Sequence, residues 1–248
     1  MRVTQTSLIL GFIILWSILL HGLYYPIRVN FSADQGLFGL EAFRIWQNKE
    51  ITLVGPTASL NFDGHSLIQG SISYYFMLIW LLLGQFNPVY SSFIFSIFSC
   101  LMIVPLYFGS KWLTNRSTAL IICLIYGWTP YFVDYTNFLW NPNFQIALSP
   151  LIIFFLGKYH QQNKIRWLIL TGIIAGILTM FHFQFLIVIT LISVAIIFKY
   201  KWKQFFLFIS GYLIGFSPLI IFEIKNQFYN LQTLLLIIKN PSFGQYSS

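Results

Sequence analysis

The sequence predicts an all-α membrane protein, a polytopic bundle of about seven or eight transmembrane helices. Of its 248 residues, 57% are hydrophobic and only 8% are charged, whereas a soluble globular domain carries roughly 25% charged residues. The apolar residues fall in long runs, and the 14 Lys and Arg residues outnumber the 6 acids. Because these cations are spread thinly between apolar runs, the composition excludes a soluble enzyme, a disordered chain and a nucleic-acid binder.

Eight apolar segments are candidate transmembrane helices, since each approaches the roughly 20 residues that a bilayer requires. Two of them, 167–182 and 184–198, are nearly continuous, so we expect the chain to turn back between Phe181 and Gln184. The run from Leu231 to Ile238 is too short to span and suits an interfacial helix. The eight segments are 7–25, 70–86, 89–110, 118–133, 143–157, 167–182, 184–198 and 205–222.

Basic residues in short loops mark the cytoplasmic side of a membrane protein. Placing Arg2 and three basic loops there gives seven crossings and leaves 70–86 re-entrant or at the outer interface. A full crossing by 70–86 would require another assignment to change. All six acids then lie on the outer face. The loop cations are Lys111 with Arg116, then Lys158, Lys164 and Arg166, then Lys199, Lys201 and Lys203.

The chain reads as one module, residues 1–248, with an outer loop at 26–69, a helix bundle at 70–222 and an outer-face tail at 223–248. In the outer loop, the apolar periodicity predicts an amphipathic surface helix from Gly36 to Asn48. Ser32 and Gln35 have the spacing of a capping box just before it. A Gly-Pro turn at 55–56 follows, and then a polar stretch.

Three polar groups on the outer side could carry chemistry. Asp34, at the start of the surface helix, could act as a general base, or could simply complement the helix dipole. Asp134, Asn141 and Asn143 lie between an outward and an inward helix, where they could line the same cavity or form a turn with an N-cap. His182 and Gln184 occupy the predicted outer turn, where a histidine could donate to a phosphate or sugar oxygen or be purely structural.

A divalent metal is one candidate cofactor. Asp34, Asp63 and His65 offer oxygen and nitrogen ligands in the outer loop, although the polar character of that loop also suits a solvated surface. Neither a phosphate-binding glycine loop nor a zinc-protease motif is present in the sequence. The spacing of Gly172 and Gly176 favours close helix packing.

The order of these features resembles the N-terminal module of the GT-C membrane glycosyltransferases, especially family 39 and the protein mannosyltransferases. Each matching motif is short, and the resemblance rests on their order over about residues 7–240. The matching stretches are Ala33-Asp34-Gln35-Gly36, Leu53-Val54-Gly55-Pro56-Thr57, Trp140-Asn141-Pro142-Asn143, His182-Phe183-Gln184 and Ser217-Pro218-Leu219-Ile220-Ile221-Phe222-Glu223.

The resemblance implies transfer of a sugar from a polyprenyl-phosphate carrier to a lipid, glycan or protein acceptor on the outer face. It assigns the catalytic or acceptor-orienting role to Asp34. Many family members have Glu where this chain has Gln35, which weakens an argument for two carboxylates or a metal. The other implied substrate-binding residues are Gln35, Asp134, Asn141, Asn143, His182 and Gln184.

Two other functions stay open at this stage. A transporter or flippase for lipid-linked glycans would place ionisable residues at the middle of the helices, whereas here the charges gather outside them. A non-catalytic membrane partner is the other alternative. The chain stops soon after Glu223 while family members continue, so we expect a truncated or minimal module. A multi-pass protein of the bacterial plasma membrane with a cytoplasmic N-terminus fits the loop charges.

Overall fold

A computed structural model describes residues 5–23, 25–29, 31–62 and 65–239. The described chain is predominantly helical and carries one two-stranded sheet. The elements are α1 (Gln5–Gly22), α2 (Tyr25–Arg28), α3 (Ala33–Asn48), β1 (Val54–Phe62), β2 (His65–Gly70), α4 (Ile72–Leu83), α5 (Pro88–Leu101), α6 (Ile103–Leu113), α7 (Arg116–Trp128), α8 (Pro130–Tyr135), α9 (Asn141–Gln162), α10 (Ile165–Phe181), α11 (Phe185–Tyr200), α12 (Trp202–Lys225) and α13 (Tyr229–Lys239).

Among the described residues, three helical runs are long and apolar enough to cross a membrane. They are α1, the nearly continuous pair α5–α6 and α12. Helices α4, α7, α10 and α11 are apolar but shorter. With 12 residues, α4 is about 18 Å long, well below the roughly 30 Å of a hydrocarbon core. Since α7, with 13 residues, is similarly short, the re-entrant or interfacial position of 70–86 stays a prediction.

The chain breaks between α10 and α11 at the place where the sequence predicts a turn. Helix α10 ends at Phe181 and α11 begins at Phe185. At the far end of α11, the Tyr200 hydroxyl lies 2.9 Å from Nδ1 of His160, near the end of α9. Since α9 leads directly into α10, the end of α11 lies beside the start of α10. The two helices thus run in opposite directions.

Glycines bring α10 and α12 into backbone contact. A Cβ atom placed on Gly172 would lie 2.1 Å from the carbonyl oxygen of Phe208, and one on Gly215 would lie 2.1 Å from that of Ile173. Only hydrogen fits such an approach, so the small residues let the two helices pack at the shortest distance. The turn between α10 and α11 follows directly on this close pair of helices.

An aromatic cluster joins this pair to α4 and α5. The ring of Phe76 on α4 lies 4.9 Å from that of Phe144 and 5.4 Å from that of Phe181, between ring centroids. Trp80 packs edge-on against Phe95 at 5.4 Å. Rings at these separations gain beyond simple burial. The cluster fixes the short helix α4 against the beginning of α9 and the end of α10.

The described chain is mostly helical, as predicted, but the segment between α3 and α4 departs from the all-α prediction because it contains an antiparallel β-hairpin. Val54 pairs with Gly70 and Thr57 pairs with Ile68, with irregular register between the pairs. The sequence there has a Gly-Pro turn and a polar stretch, and it lacks the apolar–polar alternation that predicts a strand. The hairpin ends directly at α4, so it links α3 to the bundle.

Candidate functional site

Asp34 lies in the first turn of α3 with an exposed side chain. It forms no hydrogen bond or ion pair with another described residue. A carboxylate at this position interacts favourably with the helix dipole. The same exposure leaves its oxygens free to accept a proton from an incoming group. The structure thus leaves both interpretations of Asp34 in place.

Gln35 differs from its neighbour because its side chain is buried, at 4% exposure. Its Oε1 accepts a hydrogen bond of 2.8 Å from the backbone N–H of Ser32, as the capping-box spacing predicts. Helix α3 accordingly begins at Ala33, three residues before the predicted start. The amide of Gln35 therefore stabilises the start of the helix that carries Asp34.

Three buried side-chain amides lie at the C-terminal end of α10. Asn141 Nδ2 donates to the carbonyl oxygen of Phe181 at 2.8 Å and to Oε1 of Gln69 at 2.5 Å. Gln145 Nε2 donates to the carbonyl oxygens of Leu178 at 2.8 Å and of His182 at 2.6 Å. The last carbonyls of a helix have no partner within the helix, and here Asn141 and Gln145 of α9 supply the donors, while Gln69 of β2 accepts from Asn141. We call Gln69, Asn141 and Gln145 the amide clamp.

The clamp fixes the turn that carries His182. The imidazole is half-buried, and its Nδ1 accepts a hydrogen bond of 3.3 Å from the backbone N–H of Gln184. Burial lowers the pKa of His182 below its usual value, so the ring is neutral near pH 7. A neutral ring whose Nδ1 accepts carries its proton on Nε2. That nitrogen is the one available to donate to a ligand, while the Gln184 side chain is exposed.

Asn143 and Asp134 flank the clamp differently. Asn143 is fully buried and donates from Nδ2 to the carbonyl oxygen of Phe138 at 3.1 Å. Its Oδ1 is buried without a hydrogen-bond partner. Asp134 lies on α8 with an exposed side chain. The structure thus brings Asn141 to the His182 turn and gives Asn143 a backbone contact.

The clamp residues Gln69 and Gln145 are absent from the sequence-based set of site residues. A signal existed for Gln145, because it follows Asn141 by four positions and lies on the same face of α9. Both are polar residues at the start of an otherwise apolar helix. No sequence pattern pointed to Gln69, since its position depends on a β-hairpin that the sequence did not predict.

The end of α12 is tied to the hairpin by two polar side chains. Asn230 accepts from the backbone N–H of Ile68 at 2.6 Å and donates to its carbonyl oxygen at 2.8 Å, as a neighbouring strand would. The Glu223 carboxylate accepts from the backbone N–H groups of Asn230 at 3.2 Å and Leu231 at 3.3 Å. This acid therefore caps the first turn of α13, the predicted interfacial helix.

Two cavities flank the last turns of α12. One, of about 640 Å³, is an apolar groove that opens beside the turn after His182. The other, of about 530 Å³, lies between α3 and α12 and is lined by Glu41, Arg44, Glu50 and Lys225 among others. The groove is lined by Leu67, Phe183, Leu186, Phe216, Leu219, Ile220, Glu223, Ile224, Phe228, Asn230, Leu231 and Leu234.

Of the candidate metal ligands, His65 is exposed and Asp63 lies outside the described residues. The described part of the chain holds no group of three His, Cys, Asp or Glu side chains placed to bind a metal ion. The proposed ligand set of Asp34, Asp63 and His65 is therefore not assembled by the residues that the structure describes. It stays a prediction.

A buried histidine on α1 joins the first helix to α5 and to the segment after α8. His21 Nδ1 donates to the carbonyl oxygen of Ser17 at 2.7 Å, and its Nε2 lies 2.8 Å from Oγ1 of Thr136. Cys100 contacts the same group, with its sulfur 3.3 Å from the Ser17 hydroxyl. Both cysteines are free and buried. The cluster therefore holds α1 against α5 and the segment that leads to α9.

The bundle matches a known protein family. Residues 70–222 match the family model described as dolichyl-phosphate-mannose-protein mannosyltransferase. The match covers the helix bundle, from the end of the hairpin to the end of α12. No curated protein and no solved structure matches the chain.

Proposed function

The chain belongs to the dolichyl-phosphate-mannose-protein mannosyltransferase family, whose members are membrane glycosyltransferases of the GT-C type. We propose that it transfers a sugar from a polyprenyl-phosphate carrier to an acceptor at the outer face. The observation that carries this proposal is the placing of the His182 turn beside the apolar groove. The groove suits an isoprenoid chain, and the turn offers a donor for the phosphate. The alternative of a glycan transporter is not favoured by the family match.

The donor would lie with its lipid chain along Phe183 and Leu186 at the mouth of the groove. Its phosphate would then come to the turn, where Nε2–H of the neutral His182 donates to a phosphate oxygen. A hydrogen bond to a charged oxygen is stronger than one between neutral groups. Gln184, exposed in the same turn, would contact the sugar or phosphate. Asp134, exposed on α8, would line the polar side, whereas the buried Asn141 and Asn143 would position the backbone around the site instead of contacting the donor.

Asp34 would serve as the general base. The hydroxyl oxygen of the acceptor forms a bond to the anomeric carbon while the bond from that carbon to the carrier phosphate breaks. The hydroxyl proton passes to the Asp34 carboxylate, and the electron pair leaves on the phosphate oxygen. One displacement inverts the configuration at the anomeric carbon. The acceptor is a lipid, a glycan or a protein, and the setting is a bacterial plasma membrane with the N-terminus in the cytoplasm.

The test is sugar transfer by the purified chain in proteoliposomes, with mannosyl-phosphoryl-polyprenol as the first donor and a panel of polyprenyl-phosphate sugars after it. Asp34→Asn should lower kcat by about 10²–10⁴-fold, the contribution of a positioned base. Asp34→Glu separates the two roles. It keeps the charge that complements the helix dipole but moves the carboxylate, so a base should be impaired while a dipole partner would be unaffected.

The exposed acid Glu50 provides a matched control, because Glu50→Gln removes one carboxylate from the same loop. We expect it to leave kcat unchanged. Transfer at the wild-type rate by Asp34→Asn would remove Asp34 from the mechanism. Failure of the wild-type chain to transfer from any donor in the panel would show that this chain alone is not a transferase.

A further inference from the structure

The opposite end of the bundle from the His182 turn carries a concentrated positive charge. Two tight turns lie there: α9 leads through Asn163 into α10, and α11 leads through Lys201 into α12, and both residues have positive φ. The hydrogen bond between His160 and Tyr200 joins the first turn to the second at 2.9 Å. The turns are far apart in the sequence, and the fold brings their cations together. We call the six cations the basic patch: Lys158, Lys164, Arg166, Lys199, Lys201 and Lys203.

The part of the chain that the structure describes offers the basic patch no acidic partner. None of its cations forms an ion pair with another described residue. The described acids lie at the other end, on α3, in the segment after it, on α8 and at the end of α12. Helices α9 and α12 separate the two ends by 22 and 24 residues, which is more than about 30 Å. The patch therefore presents uncompensated charge.

Two helix N-termini add backbone donors to the same patch. Helices α10 and α12 both begin there, and neither Lys164 nor Lys201, the residues before them, supplies a side-chain cap. The first N–H groups of a helix are unpaired and its N-terminus favours anions. The two N-termini and six cations together make a site for negatively charged oxygen atoms.

The position of Trp167 indicates that the basic patch lies at the level of the lipid headgroups. Trp167, one turn into α10, has the Lys158 ammonium 4.4 Å and the Arg166 guanidinium 4.6 Å from its ring centroid. Its indole N–H donates to Gln162 at 2.9 Å. Tryptophan with a polar contact at its N–H is typical of the headgroup level of a membrane. The cations over its face lie where lipid phosphates lie.

We propose that the basic patch binds the headgroups of anionic phospholipids from the surrounding bilayer. The phosphates accept from the lysines and from the two helix N-termini, while the acyl chains lie against the apolar sides of α10 and α11. Charge complementarity supports this occupant, since clustered cations at the ends of transmembrane helices attract anionic lipid. The proposal is independent of sugar transfer.

The experiment uses the full chain in nanodiscs that contain equal amounts of phosphatidylglycerol and phosphatidylcholine, followed by native mass spectrometry of the lipids that stay bound. The wild type should retain phosphatidylglycerol preferentially. The triple variant Lys199→Gln, Lys201→Gln and Lys203→Gln should lose this preference by at least about tenfold, because each charge contributes roughly fivefold near a membrane surface. The corresponding triple Lys→Arg variant should keep it.

A matched control removes the same charge elsewhere. The triple variant Lys49→Gln, Lys225→Gln and Lys239→Gln alters exposed lysines outside the patch. It should retain phosphatidylglycerol as the wild type does. Equal loss in the two triple variants would overturn the proposal in favour of a net-charge effect.

Two other outcomes would also overturn it. One is an unchanged lipid preference in the patch variant. The other is displacement of phosphatidylglycerol by millimolar inorganic phosphate, which would show a site for free anions instead of lipid headgroups. A normal elution volume in size-exclusion chromatography, and retention by the Lys→Arg variant, distinguish lost binding from lost folding.

Discussion

Substituting Gly215 by alanine tests the contact that holds α10 and α12 together. The new Cβ would lie 2.1 Å from the carbonyl oxygen of Ile173, whereas ordinary contact begins at 3.4 Å. The helices would have to separate locally by more than about 1 Å, and overpacking of this kind costs about 1–3 kcal/mol. Helix propensity acts in the other direction, because alanine in a helix is favoured over glycine by about 0.5–1 kcal/mol. Packing should dominate and lower the stability.

The measurement is the temperature at which the purified chain in detergent loses half of its monodisperse fraction. At about 2–4 °C per kcal/mol for a chain of this size, Gly215→Ala should lower this temperature by several degrees. Gly11→Ala is the control, because a Cβ at Gly11 on α1 would meet nothing within 4 Å. It should be neutral or slightly stabilising. An equally stable Gly215→Ala variant would refute the close helix contact.

Three further predictions concern the end of the bundle that carries the His182 turn. Gln145→Leu leaves two carbonyl oxygens at the end of α10 without donors, so kcat for sugar transfer should fall about tenfold or more. Gln145→Glu should not restore kcat, because a carboxylate cannot donate. Wild-type kinetics in the Gln145→Leu variant would contradict the positioning role of the amide clamp. Because burial lowers the pKa of His182, protonating the ring in acid costs stability. His182→Asn should therefore flatten the acid limb of the stability–pH curve. An identical acid limb in the variant would show that another group causes the acid loss of stability. Glu223→Gln weakens the cap of α13, so proteolysis within α13 should quicken several-fold while the bundle stays intact, and unchanged cleavage would show that other contacts hold that helix.

The helices could be predicted from the sequence because their signal is local. The apolar runs, the break near His182 and the glycine spacing on α10 are each visible within about twenty residues. The hairpin was missed since its stability comes from elsewhere. Asn230, some 160 residues later in the chain, pairs with the backbone of Ile68. Such a contact depends on the whole fold and leaves no periodic pattern in the strand itself.

In the candidate site, too, some residues could be predicted from local sequence and others could not. Asp34 and His182 stand out because a charged or titratable residue is rare in this composition, so a residue type is enough to select them. Two residues of the amide clamp, Gln69 and Gln145, could not be selected this way, because they are neutral residues whose partners are another side-chain amide and backbone carbonyls. Reactive groups can be recognised from their residue type alone. The groups that position them are recognised only from the backbone carbonyls that they bond at a helix end, which requires the folded structure.

The frame of α10 and α12 connects the two proposals and makes them separable. Both helices begin in the basic patch, and α10 ends in the amide clamp while α12 ends between the two cavities. A substitution in the patch should change lipid retention and leave sugar transfer intact in a fixed lipid mixture, and Gln145→Leu should do the reverse. Gly215→Ala lies between the two ends, so it should weaken both. If it weakened only one, the two helices would not act as the single rigid pair that their backbone contact implies.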